Sequence, residues 1–140
     1  MGNQNSVYQK CNFEDIQNTI KQNNLILINT LDTNEQECLI QKSIPSSNEE
    51  NIINSLLKNN INTAIFIYGK NTNDEKPYIK YKQLYELGFT NIYIYSGGLF
   101  EWLCLQDIYG DDEFPTTTKE LDIIKFKPKS DYKKFLLLED

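Results

Sequence analysis

Ala64-Ile65-Phe66-Ile67-Tyr68-Gly69, then Leu87-Gly88-Phe89, then Asn91-Ile92-Tyr93-Ile94-Tyr95-Ser96-Gly97-Gly98 and Trp102 decide how this chain reads. The runs 64–68 and 91–95 are short, apolar and rich in β-branched and aromatic residues, as in strands buried on both faces. Between them lie a polar loop from Gly69 to Lys76 and a helical stretch. The spacing predicts that helix from about Tyr78 to Leu87, with Ile79, Leu84 and Leu87 as its buried set. Gly88 stands where a left-handed glycine ends a helix. Ser96-Gly97-Gly98 turns the later strand into another helix, carrying Leu99, Trp102, Leu103 and Leu105.

Working outward, Leu25-Ile26-Leu27-Ile28 is a third apolar run, again read as a buried strand. Before it, Phe13, Ile16 and Ile20 form the stripe of a short helix. Asn12 is its expected cap, and Glu14 and Asp15 suit its positive end. Residues 30–47 read as loop with Pro45. Ser47 to Glu50 opens a helix with Ile52, Ile53, Leu56 and Leu57 on one face. A last helix is expected from near Thr117, using Leu121, Ile123 and Ile124 and stopping before Pro128. Alternating strands and helices define an α/β single domain. Its central parallel sheet should hold about four to five strands, with helices on both faces. The expected division is a flexible polar arm over 1–12, a domain over 13–116, and a C-terminal helix and tail over 117–140.

Composition narrows the chemistry. The 140 residues fit one core, and 39% hydrophobic content can fill it. Net charge is −6, and the chain shows no basic face for nucleic acid. All 14 basic residues are lysines. Without histidine there is no imidazole base or ligand; without arginine there is no planar fork for phosphate. Cys11, Cys38 and Cys104 are odd in number and widely spaced, which predicts reduced thiols in a cytoplasmic setting. No metal site and no cofactor is expected, and no apolar run is long enough to span a bilayer.

The order strand, loop, helix, Gly-Phe, strand, Gly-Gly, Trp resembles the C-terminal half of the rhodanese-like superfamily, whose members include sulfurtransferases and dual-specificity phosphatases. Leu25 to Thr30 resembles the family's first-half strand, and Cys38-Leu39-Ile40 through Ser43-Ile44-Pro45 its following segment. The resemblance covers roughly 13–105 and implies a nucleophilic cysteine after the aromatic that ends the second strand. In that family, converging backbone N–H groups stabilise the thiolate and its persulfide. Here Gly69 holds that position. The family's strand aspartate falls on Asn29, its arginine on Leu31 and its Gly-His pair on Cys38-Leu39. The loop Gly69, Lys70, Asn71, Thr72, Asn73, Asp74, Glu75, Lys76 is longer than that of the short-loop sulfurtransferases and is closer to the phosphatases. It nevertheless lacks their bracketing Cys and Arg.

These differences predict a catalytically inactive rhodanese-like domain used as a protein-interaction or scaffolding module, with another protein as partner. The alternatives are a sulfurtransferase or phosphatase-like enzyme using a non-standard thiol, or an anion sensor. For a moved nucleophile, Cys104 reads as a core thiol. Cys38 reads as a loop thiol with no cation beside it. For a sensor, the loop amides with Lys70 or Lys76 would cradle the anion, against repulsion from Asp74 and Glu75. The plainer reading is a solvated turn whose Asn and Asp side chains satisfy the helix start.

Two further segments carry expectations. Met1-Gly2 with Ser6 fits the N-myristoylation pattern, with Gly2 as acceptor. One acyl chain would give only weak membrane association, with Lys10 as the only nearby cation. The plainer reading is a polar arm. Residues 105–116 run past the generic domain, and Gln106, Asp107, Tyr109 and Phe114 are the candidate contacts for a partner.

Overall fold

The computed structural model describes residues 8–23 and 25–132. Gly2 and Ser6, and the tail residues Phe135 and Leu136, lie outside the described residues. The elements are β1 Lys10–Cys11, α1 Phe13–Lys21, β2 Ile26–Asn29, α2 Glu49–Asn59, β3 Ile65–Tyr68, α3 Lys76–Leu87, β4 Ile92–Tyr95 and α4 Gly98–Tyr109. Short 3-10 turns occupy Thr33–Glu35, Ser46–Asn48 and Ile123–Phe126.

The four strands form one all-parallel sheet in the order β1-β4-β3-β2. Strand alternation sends side chains to two separate clusters. Ile28, Ile65, Ile67, Ile92 and Ile94 pack with Ile53 of α2 and Tyr81 and Leu84 of α3. Leu27, Tyr68 and Tyr95 pack with Ile16 of α1 and Leu99, Trp102 and Leu103 of α4. The apolar runs are therefore continuous because both faces are covered. Fully burying each such side chain contributes about 1.5–3 kcal/mol.

Local rules explain most helix ends. Asn12 Oδ1 accepts from the backbone N–H of Glu14 (3.0 Å) and Asp15 (3.2 Å). Asp15 returns a bond from the Asn12 N–H, closing a capping box. Gly88 closes α3 at φ +116°, a left-handed conformation that glycine adopts without strain. Among the described residues no helix is long and apolar enough to cross a membrane.

Four expectations need correction. Residues 9–11, read as part of a polar arm, join the sheet: Lys10–Cys11 pairs in parallel with Ile94–Tyr95, and Gln9 Nε2 donates to Ile92 O. A two-residue strand leaves no periodicity to read. In α3 the buried set is Pro77, Tyr81 and Leu84, while Ile79 and Leu87 are exposed. The spacing of four and three from Pro77 puts those residues on one stripe, and Tyr8 packs edge-on to Tyr81 from the N-terminal segment. No α-helix begins at Thr117; only the turn Ile123–Phe126 forms, and Leu121 is 85% exposed. The chain is held extended there, because Thr117 N donates to Leu39 O and Thr117 Oγ1 to Glu37 O. α2 buries only Ile53 fully, with Ile52, Leu56 and Leu57 half-buried.

Candidate functional site

In an open parallel sheet, the crevice for a ligand lies at the C-terminal strand ends where neighbouring connections leave to opposite faces. Here β3 leads to α3 on one face and β4 to α4 on the other. That switch point is bounded by the loop Gly69–Lys76 and the turn Ser96–Gly98.

The two segments are locked together by backbone. Leu99 N donates to Gly69 O and Phe100 N to Lys70 O, each at 2.9 Å. Gly98 has φ +69°, and a Cβ there would lie 2.8 Å from Gly69 O and 2.9 Å from Asn71 N. Only glycine lets the start of α4 approach the loop so closely.

Within the loop, Asp74 occupies the centre. Its Oδ2 accepts from the Lys70 N–H (2.8 Å) and its Oδ1 from the Lys76 N–H (3.0 Å). Asn71 Oδ1 accepts from Asn73 N at 2.9 Å. Two backbone N–H groups of the loop thus serve a carboxylate of the chain itself. The anion-sensor alternative cast Asp74 as a repulsive neighbour of the anion; the structure instead has Asp74 accept at the start of α3, as the plainer reading expected, and also from the Lys70 N–H. A Cβ built on Gly69 would lie 2.7 Å from Pro77 Cγ and closer still to Asp74 Oδ2.

The lysines considered for an anion site are engaged elsewhere. Lys70 Nζ pairs with Glu35 at 3.0 Å, and Lys76 Nζ pairs with Asp32. The hydrogen bond and charge of Lys76 hold the Asp32 carboxyl below its ordinary value, and Asp32 in turn holds the ammonium of Lys76 above its own. Thr72 faces a separate cleft, and Glu75 stands at the start of α3.

Asn29, at the position of the family's aspartate, is buried and fully bonded. Its Nδ2 donates to Gln36 Oε1 (3.0 Å) and Ile44 O (2.9 Å). Its Oδ1 accepts from Gln36 Nε2 (2.8 Å) and Leu31 N (3.1 Å). Leu31 itself is buried. Tyr68 is also buried; its hydroxyl accepts from Ile40 N (3.1 Å) and shares a 2.6 Å bond with Ser43 Oγ. Burial pushes that phenol well above its ordinary value.

None of the three thiols sits in an activating environment. Cys38 is buried, and burial raises its pKa. Cys104 is half-buried rather than core; burial and then the charges of Asp107 and Glu101 raise it. Cys11 is pushed up to about 12, chiefly by burial and then by Asp15. Cys11 and Cys104 line one cleft of about 580 Å³, together with Tyr95 and Glu101. There the Tyr95 hydroxyl donates to Glu101 Oε1 at 2.6 Å, so the nearby carboxylate is already engaged.

The candidate contacts beyond the domain separate into two kinds. Phe114 is 3% exposed and packs edge-on to Trp102 at 5.0 Å. Gln106 is buried, its Nε2 donating to Phe114 O at 2.8 Å. These two are core rather than surface anchors, because the turn after α4 folds back over Trp102, whose Nε1 donates to Pro115 O. Asp107 and Tyr109 remain exposed. Sequence reading missed Gln36, which bonds Asn29, Leu31 and Ser46 within a loop that shows no periodicity, and Phe126, which is remote in sequence from Asn71.

A parallel α/β sheet with its crevice at a strand-loop-helix-strand-Gly-Gly junction defines the class. Residues 13–104 match the model of the rhodanese-like domain, and the chain belongs to that family. No curated protein matches the sequence. Among solved structures, the BH2092 protein from Bacillus halodurans is 17% identical. The match covers 94% of this chain and 91% of that one, with a TM-score of 0.59. The Alr3790 protein from Anabaena sp. is 16% identical, with 82% and 97% covered and a TM-score of 0.56. Ygr203w, a yeast protein tyrosine phosphatase of the rhodanese family, is 14% identical, with 83% and 96% covered and a TM-score of 0.55. These likenesses concern the fold.

Proposed function

We propose that this chain is a catalytically inactive rhodanese-like domain that serves as a protein-interaction module. One observation carries the reading. At the family's nucleophile position Gly69 offers no side chain, and Asp74 accepts from the N–H groups of Lys70 and Lys76 on either side of the loop. Sulfur transfer needs a sulfur that can attack and then hold a persulfide. Phosphoryl transfer needs a nucleophile and cations around the transferred oxygens. The loop supplies neither, and its own carboxylate repels both kinds of anionic substrate. The three thiols have raised pKa values, which lowers the thiolate fraction that would do the chemistry. Unpaired thiols suit a reducing, cytoplasmic setting. The partner of such a module is another protein, and an acylated Gly2 would add only weak membrane association.

The test is sulfur transfer from thiosulfate to cyanide, and hydrolysis of p-nitrophenyl phosphate, by the full chain. No rate above buffer is expected in either. A rate lost on Cys38→Ser or Cys104→Ser would overturn the reading, because the nucleophile would then have moved within the fold.

A further inference from the structure

The cleft that Cys11 and Cys104 share holds a carboxylate and no cation. It measures about 580 Å³, and separate segments of the chain converge on it. Phe13 comes from the start of α1, Phe100 and Cys104 from α4, and Cys11 from β1, while Pro128 closes a further side. Among the described residues Glu101 is the only charged side chain that lines it. The turn Ser96–Gly97 places the cleft at the C-terminal end of β4, where a parallel sheet offers its crevice.

Glu101 is exposed, yet it is held in place. Its Oε1 accepts from the Tyr95 hydroxyl at 2.6 Å, and Tyr95 is 1% exposed. If the carboxylate swung away, that buried donor would lose its acceptor. Gly97 makes the room: a Cβ there would overlap Glu101 Oε1 and lie 2.9 Å from Glu101 Cβ. The bond to Tyr95 uses one oxygen, and among the described residues no lysine lies within ion-pair distance of the other. The thiols sense the same sign of charge. After burial, Cys11 is raised by Asp15, and Cys104 by Asp107 and Glu101.

The geometry points to this cleft as the binding site for a small organic cation, a primary ammonium ion carried on an aromatic body. Its volume falls in the range of small-molecule sites, about 300–1,000 Å³. Glu101 Oε2 accepts an ammonium N–H in a charge-assisted hydrogen bond, and the hydroxyls of Ser96 and Thr72 line the same cleft as further acceptors. Phe13 and Phe100, both half-buried, supply aromatic surface for the apolar body. A neutral ligand would cover the carboxylate without pairing it, and an anion would be repelled. The thiols do not make the cleft a metal centre, since no group of three or more Cys, Asp or Glu among the described residues is placed to hold an ion. Such a site stands whether or not the domain also binds protein.

The probe is phenethylammonium chloride, titrated into the isotope-labelled full chain near neutral pH and followed by amide chemical shifts. Saturable shifts are expected at Phe13, Ser96, Gly97 and Glu101, with half-saturation near about 1 mM or below. Phenethyl alcohol, which keeps the ring without the charge, should bind about tenfold more weakly or worse, and the anion hydrocinnamate should not saturate. Glu101→Gln keeps an acceptor for the Tyr95 hydroxyl and removes the charge. It should weaken the amine about tenfold while melting like the parent. Glu86→Gln on α3 loses the same charge at an exposed position outside the cleft and should change affinity by less than about twofold. Tyr95→Phe releases Glu101 and should fall between the two. No saturation up to about ten times that concentration, equal affinity for amine and alcohol, or equal affinity in the parent and Glu101→Gln overturns the proposal. So does tighter, Glu101-dependent binding of an acetylated Lys-Phe amide than of the free amine, which would give the cleft to a protein segment instead.

Discussion

The side-chain amides of Asn29 and Gln36 bond to each other twice, each donating one N–H to the other's oxygen at 3.0 and 2.8 Å. The pair ties the end of β2 to the loop that follows. Gln36 also donates to Leu31 O (3.0 Å) and accepts from Ser46 N (3.0 Å). A carboxylate at 29 would accept as Asn29 does but could not donate. Asn29→Asp, which restores the residue that the family resemblance assigns there, should therefore leave Ile44 O without its side-chain donor, strip Gln36 Oε1 of one of its two, and bury a charge. A loss of about 2–3 kcal/mol is expected in urea unfolding. An unchanged midpoint would mean that the network tolerates the swap.

Gly69 and Asp74 should be coupled. Gly69→Ala places a methyl against Asp74 Oδ2 and Pro77 Cγ, for an expected loss of about 1–3 kcal/mol. Asp74→Ala frees the N–H groups of Lys70 and Lys76, for about 1–2 kcal/mol. In the double variant the methyl meets only Pro77, so the combined loss should be smaller than the sum. Additive losses in a denaturation cycle would show that the loop does not close on Asp74 in solution.

Much of this architecture was legible because the strands are continuous apolar runs, and because Gly88, Gly97 and Gly98 punctuate them. The candidate loop was located for the same reason. What escaped reading depends on partners remote in sequence. Tyr81 displaces Ile79 from the buried face through packing with Tyr8. Thr116 pairs with Ile40 instead of starting a helix. Asp74 was legible as a side chain that satisfies the start of α3, through the Lys76 N–H; its second bond, back to the Lys70 N–H, was not, since that depends on how the loop closes. Phe114 carries the composition of a surface anchor and becomes core only because the chain turns back over Trp102.

Alkaline pH should destabilise the domain. Cys11 is raised from 9.0 to about 12, chiefly by burial. Tyr68 and Tyr95 are raised above 10.0, again chiefly by burial. The folded chain therefore keeps protons that the unfolded chain releases. The associated stability is complete below the unfolded values and is lost as pH climbs toward the folded ones. Unfolding midpoints should be level near about pH 8 and fall above about pH 9. Cys11→Ser should reduce the part of the fall that begins first, to which the raised thiols of Cys38 and Cys104 also contribute, and leave the part due to the tyrosines. A flat profile to about pH 11 would contradict the burial of these groups.

Phe114 and Tyr109 lie 6.2 Å apart, centroid to centroid, yet should behave differently. Phe114→Ala empties a site packed against Trp102 and should cost about 3–4 kcal/mol. Tyr109 is 64% exposed, so Tyr109→Ala should stay within about 0.5 kcal/mol. Any partner affinity carried by the end of α4 must then be sought at Tyr109 and Asp107. Comparable thermal destabilisation by both variants would place Tyr109 in the core as well.

The strap formed by Ile123–Phe126 and Lys127 should steady the loop Gly69–Lys76, to which Asn71 ties it. Phe126 is 3% exposed, and Phe126→Ala should cost about 3 kcal/mol. Asn71→Ala removes the donor to Phe126 O and should cost about 1 kcal/mol. Phe126→Ala keeps that carbonyl but frees the segment that carries it, so the two effects should overlap rather than add. The specific readout is amide hydrogen exchange. Asn73 N donates to Asn71 Oδ1 and Lys127 N to Ile124 O, so one reports the loop and the other the strap. Phe126→Ala should speed exchange at both, whereas Phe114→Ala at matched stability should not single them out. Faster exchange at Lys127 with Asn73 unchanged would show that the strap packs beside the loop without holding it.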